Sequence, residues 1–98
     1  MPDAPPAPAA YRVLSSKHYE RDVRSLTKRN KPLLQIVKDL LVVLRGDPLN
    51  GTGVSKLTDV KQGDGQYRIR SGDYRIRYDV VGRDVVLHSF SHRKDAYS

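Results

Sequence analysis

A chain of 98 residues with 18 Lys and Arg against 11 Asp and Glu, hence a formal charge of +7, has room for one modest core. Its surplus of cations points to a polyanion such as nucleic acid, or to an acidic protein, as partner. The absence of cysteine excludes a disulfide framework and any thiolate metal site. No apolar run approaches the length of a membrane span, and the N-terminus lacks the charged start and apolar stretch of a signal peptide, so the expected location is the cytoplasm.

Residues 1–10, MPDAPPAPAA, are Pro/Ala-rich and cannot bury enough apolar surface to offset the entropy of ordering, so they read as a disordered arm ahead of one domain over residues 11–98. Tyr11 to Leu14 is compatible with a short strand ended by Ser15-Ser16, and Ser16 suits the N-cap of a helix in which Tyr19, Val23 and Leu26 recur at i, i+4 and i+7. The remaining face of that helix is basic, through Lys17, Arg21, Arg24, Lys28 and Arg29, and reads as solvated. Asn30-Lys31-Pro32 breaks it. A second helix follows, with Leu33, Ile36, Val37, Leu40, Leu41 and Leu44 as a broad core stripe and Gly46 at its end. Two helices joined by so short a turn should form a hairpin. Leu49 to Asp64 is rich in Gly, Asn, Thr and Asp and reads as loop, with Val54 to Leu57 a brief turn or strand; the Walker spacing is absent.

Gln66 to Tyr78, QYRIRSGDYRIRY, alternates apolar and basic residues in two runs around Ser71-Gly72-Asp73, which predicts a β-hairpin. With Ser71-Gly72 as the two-residue turn, Ile69 faces Tyr74 and Tyr67 faces Ile76 on a core side, while Arg68, Arg70, Arg75 and Arg77 share the other side. Arg68 then lies across from Arg75, and like charges in that position destabilise a sheet unless an anion sits between them. Arginine suits a phosphate because its planar fork donates in pairs and stays charged. After a turn at Gly82, Asp84 to Phe90 makes a further strand, apolar on both faces and therefore central. The order is β-α-α-β-β-β: an α+β domain with a helical hairpin on one face of a small, mainly antiparallel sheet.

The catalytic inventory is thin. His18, His88 and His92 have no partner at metal-ligand spacing, and no motif offers covalent catalysis, so neither metal nor cofactor is expected. What remains is the basic sheet face and the C-terminal cluster HRKDAY, with Arg93 and Lys94 as further cations and His92 or Tyr97 as proton-transfer groups. Cations around a phosphodiester stabilise the extra charge of a pentacoordinate transition state. RNA carries its own nucleophile in the 2′-OH, so such a site needs no protein nucleophile.

The element order, the loop ending KLTDVKQG, the hairpin QYRIRSGDYRIRYDV and the closing HSFSHRKDAY together resemble the RelE/ParE toxins of type II toxin-antitoxin systems, over roughly residues 11–98 and closer to the RelE-like branch. The resemblance implies a small ribosome-dependent mRNA endonuclease, restrained by a cognate antitoxin and cutting by 2′-OH attack on the adjacent phosphate. It places Arg68 and Arg70 on basic positions of the second family strand, and Arg75 on the arginine that would hold the scissile phosphate. Arg93 falls on a late basic residue that would stabilise the leaving group, and Tyr97 on a terminal tyrosine that would orient or deprotonate the 2′-OH. Arg68 and Arg70 stand where lysine is frequent; arginine does not deprotonate, which moves the base role to Tyr97 or His92. Arg77 and Lys94 join the expected phosphate contacts. Two other functions fit the same features: a ParE-like gyrase poison acting on a protein, and a non-catalytic nucleic-acid-binding module using the hairpin as a basic ribbon.

Overall fold

The computed structural model describes residues 11–94. The element order is β1 Arg12–Ser15, α1 Lys17–Arg29, α2 Leu33–Gly46, β2 Val54–Lys56, β3 Tyr67–Ser71, β4 Tyr74–Val81 and β5 Asp84–His92. The expected disordered arm, and Tyr97 at the other end, lie outside the described residues.

Ser16 starts α1 as expected: its Oγ accepts from the Tyr19 backbone N–H at 3.0 Å, and its hydroxyl donates to the His88 carbonyl, tying the helix start to β5. The five basic residues of α1 are all exposed. Tyr19 of α1 and Leu33, Val37, Leu40 and Leu44 of α2 pack with Ile69, Ile76, Tyr78, Val85, Leu87 and Phe90 of the sheet, so both helices cover one face.

The sheet has five strands in the order β1-β5-β4-β3-β2. Only the β1/β5 pair is parallel. The α+β class stands, and the Gly-rich connection contributes a real edge strand, β2. Two glycine-permissive features hold that edge: Gly53 has φ +85°, and its carbonyl accepts from the Arg70 N–H. β5 is interior, flanked by β1 and β4, as its two apolar faces required. Because β1 stops at Ser15, the Phe90 N–H has no strand partner on that side; Asp22 of α1 accepts it instead at 3.0 Å.

The hairpin register differs from the expected one. Ser71 pairs with Tyr74, so the two-residue turn is Gly72-Asp73, with Gly72 at φ +58° in the first turn position. Both dipeptides satisfy tight-turn chemistry, and alternation does not choose between them. Moving the turn by one residue moves each partner by two, so every side chain keeps its face while every pair changes. Arg68 faces Arg77, not Arg75, and Arg70 faces Arg75. A shift of this kind sends no arginine into the core.

Candidate functional site

The sheet face opposite the helices carries Arg68 and Arg70 on β3 and Arg75, Arg77 and Asp79 on β4, by strict alternation with the core residues Ile69, Ile76 and Tyr78. Two arginine pairs therefore oppose one another across the β3/β4 ladder. Ser91 and Ser89 of β5 flank Arg75 and Arg77 on the other side.

The four arginines are not equivalent. Arg70 is exposed, and Arg68 is partly buried. Arg75 is only 6% exposed, and its Nε has no hydrogen-bond partner among the described residues. A buried, unpartnered guanidinium N–H costs free energy unless something outside the fold accepts from it. Arg77 is used differently: its Nε donates to the Gly65 carbonyl at 2.9 Å and its Nη2 to the Asp64 carbonyl at 3.1 Å. Expected as a phosphate contact, it clamps the loop ahead of β3.

Beside this clamp lies Asp79, 1% exposed, which accepts from the backbone N–H groups of Gly65 at 3.0 Å and Gln66 at 2.9 Å. Its burial raises the carboxyl pKa, but the hydrogen bonds from Gln66, Gly65, His88 and Gly63 together outweigh that and hold it below the usual carboxylate range. The His88 partner approaches from β5, Nε2 to Oδ2 at 2.5 Å. Neither residue stood out in the sequence. The signal was Asp79 itself, an acidic residue continuing the Arg75-Arg77 alternation onto the same face.

The C-terminal cluster divides between the faces. His92 pairs with Tyr74, packs edge-on against its ring at 5.0 Å, and so shares the side of Phe90 rather than that of the arginines. Its Nε2 lies 3.9 Å from Asp73. Arg93 crosses to the β3/β4 turn, where its backbone N–H donates to the Asp73 carbonyl and its exposed guanidinium stands 4.0 Å from the Asp73 carboxylate. That is the end of the sheet where Arg70 faces Arg75. Lys94 is exposed, and its N–H donates to His92 Nδ1. Among the described residues no group of three or more His, Asp or Glu is placed to hold a metal ion. No helix there is long and apolar enough to cross a membrane.

A two-helix, five-stranded α+β domain with a cationic open face is the class these features define. Its architecture matches that of solved toxin structures. The RelBE2 toxin-antitoxin complex of Mycobacterium tuberculosis contains a chain 26% identical, with a TM-score of 0.67 over 86% of this chain and 99% of that one. YafQ from E. coli is 15% identical, with a TM-score of 0.62 over 90% and 99%. The RelB-RelE complex of Methanococcus jannaschii gives 24% identity and a TM-score of 0.54 over 86% and 94%. No family model matches the chain, and no curated protein is significantly similar to it in sequence. The chain has the RelE-like toxin fold that its hairpin and C-terminal motifs implied.

Proposed function

We propose that this protein is the toxin of a type II toxin-antitoxin system and a metal-independent endoribonuclease that cleaves mRNA on the ribosome. The observation that carries the reading is Arg75: a nearly buried arginine on the open sheet face, its Nε without a partner among the described residues, set between the opposing Arg70 and Ser91. A phosphodiester oxygen accepts from such a group, and its charge relieves the repulsion between facing arginines. In this reading Arg75 holds the scissile phosphate, and Arg68 and Arg70 bind flanking phosphates. Arg93, at the same end of the sheet, stabilises the leaving oxygen, and Lys94 adds to the field. Tyr97 orients the 2′-OH, a role that rests on the sequence resemblance. In the same reading His92, on the helix side, takes no part in the proton transfer, and Arg77 acts through the loop it clamps.

The 2′-oxygen attacks the adjacent phosphorus, the P–O5′ bond breaks, and the products are a 2′,3′-cyclic phosphate and a 5′-hydroxyl. Preorganised cations favour the dianionic transition state over the monoanionic ground state, which is where the rate gain arises. The partner that restrains the toxin is an acidic antitoxin segment, drawn to the +7 chain by charge. Co-expression with the adjacent open reading frame should rescue growth and co-purify the pair, and failure of both contradicts this partner.

The direct test is addition of the purified protein to a translating extract with mapping of mRNA ends. In-frame cuts at the ribosomal A site, lost in Arg75→Ala and Tyr97→Phe, are the expected result. Intact mRNA together with cleaved DNA in a gyrase reaction would establish the ParE-like alternative. Salt-dependent RNA binding without product would establish the binding module.

A further inference from the structure

Among the described residues the arginine face holds one imidazole, that of His88, and an irregularity of the ladder puts it there. Along β4 and β5, Arg77 pairs with Ser89 but Tyr78 pairs with Leu87, so His88 is the extra residue of a β-bulge. In an unbulged ladder, alternation from core-facing Leu87 to core-facing Phe90 is impossible, because an odd number of residues must separate them. The bulge allows His88 and Ser89 both to turn toward the arginine side. Bulges re-aim side chains in this way and concentrate beside active sites.

His88 is then fixed by a carboxylate that is itself fixed. Asp79 Oδ2 meets His88 Nε2, while the same carboxylate accepts from Gly65 N and Gln66 N. An ionised acceptor at Nε2 sets the tautomer: Nε2 carries the proton and Nδ1 presents its lone pair. His88 Nδ1 makes no hydrogen bond among the described residues, and a third of the side chain is exposed. Asp79 stands four residues from Arg75 on β4, about 13 Å along the strand, and the His88 backbone is inserted opposite the Arg77-Tyr78 step between them. The charged groups that pairing sets beside His88 are Asp79, in contact with it, and Arg77, opposite the neighbouring Ser89; on the other side the uncharged Ser15 of β1 lies opposite Leu87 and the Ser16 hydroxyl donates to the His88 carbonyl.

We propose that His88 is the general base of the cleavage and Asp79 its positioning residue, an inference that rests on the nuclease reading above. His88 Nδ1 takes the proton of the 2′-OH as the O2′–P bond forms and the P–O5′ bond breaks. The departing O5′ takes a proton from water, and His88 returns its own to solvent. This assigns the base to neither Tyr97 nor His92, leaving Tyr97 to orient the ribose.

Single-turnover cleavage of a defined mRNA on programmed ribosomes, followed from pH 5 to 9, tests the assignment. The set is wild type, His88→Gln and Arg75→Ala, each with its thermal midpoint. The glutamine amide keeps a donor for Asp79 and removes the titrating lone pair. The expected result is a rate loss of about 10²–10⁴-fold in His88→Gln, with the acid limb of the pH profile abolished and the midpoint retained. A His88→Gln rate equal to wild type, or reduced equally at every pH with the acid limb intact, overturns the inference and leaves the nuclease standing. If His88→Gln does not fold, His88→Ala supplies the test: added imidazole should restore its cleavage and not that of Arg75→Ala, and no rescue in a folded His88→Ala counts against the base. A folded wild type that cuts nothing, on ribosomes shown to hold mRNA, removes the nuclease reading and the base with it.

Discussion

Arg77 donates two hydrogen bonds to the carbonyls of Gly65 and Asp64, which makes this arginine part of the scaffold on which the neighbouring arginines stand. Gly65 lies under it at φ +79°, and a Cβ there would sit 3.2 Å from Arg77 Nε. Removing the clamp should release the loop that also carries the donors to Asp79. Arg77→Ala is expected to lower stability by about 1–3 kcal/mol, the range for hydrogen bonds to a charged group on a partly exposed side chain. In a domain of this size each kcal/mol shifts the thermal midpoint by roughly 4–8 °C. An unchanged midpoint in a thermal melt would contradict the clamp.

Arg75 should behave in the opposite way. A buried guanidinium with an unpartnered N–H is held against its desolvation cost, so an apolar residue of similar length is tolerated. Arg75→Met is expected to keep or raise the thermal midpoint while abolishing cleavage, the trade between stability and function that marks a ligand-directed group. A fall in midpoint of more than about 1 kcal/mol equivalent would mean that Arg75 serves the fold.

The acid limb of the stability curve belongs largely to Asp79. Its folded-state pKa lies below the ordinary value of 3.8, so its contribution is complete above that value and is lost as pH falls through the lower folded one. Asp79→Asn should be less stable at pH 7, and its stability should fall less steeply than the wild type's as the medium is acidified below about pH 4. Asp84, held low by its hydrogen bond from Arg12, adds a weaker part of the same slope. Denaturant titrations at stepped pH measure both slopes, and equal slopes would exclude Asp79 as the source.

Glycines at positive φ separate by what surrounds them. A Cβ on Gly53 would meet the Arg70 carbonyl oxygen at 2.6 Å, whereas one on Gly72 meets nothing within 4 Å. Both alanine variants carry the left-handed penalty of roughly 1–2 kcal/mol. Gly53→Ala should lose more, because backbone must also move to accommodate it. Equal melting points for the two variants would contradict the close packing of β2 on β3.

Much of this architecture was legible in the sequence because it depends on period and punctuation. The stripes Tyr19-Val23-Leu26 and Leu33 to Leu44, the Ser16 cap and the alternation through Tyr67 to Tyr78 each report one face of one element. What could not be read depends on pairing between elements. The choice of Gly72-Asp73 over Ser71-Gly72 leaves every face unchanged, and so leaves no trace in the alternation. The β5 bulge shows only where Leu87 and Phe90 are known to face the same core. Asp79 and His88 are nine residues apart on adjoining strands, and their contact exists only once that bulge is placed. Arg77 is the converse case, four identical residue types in one row of which one is committed to backbone carbonyls.

The chemistry of the cut ends tests the central claim most directly. Recovered mRNA fragments from ribosomes exposed to the purified protein should carry 2′,3′-cyclic phosphate on the upstream piece and 5′-hydroxyl on the downstream one, and the Arg75→Ala protein should yield neither. Fragments ending in 3′-hydroxyl and 5′-phosphate, or cutting that persists undiminished in Arg75→Ala, would contradict a 2′-OH attack promoted by the arginine face.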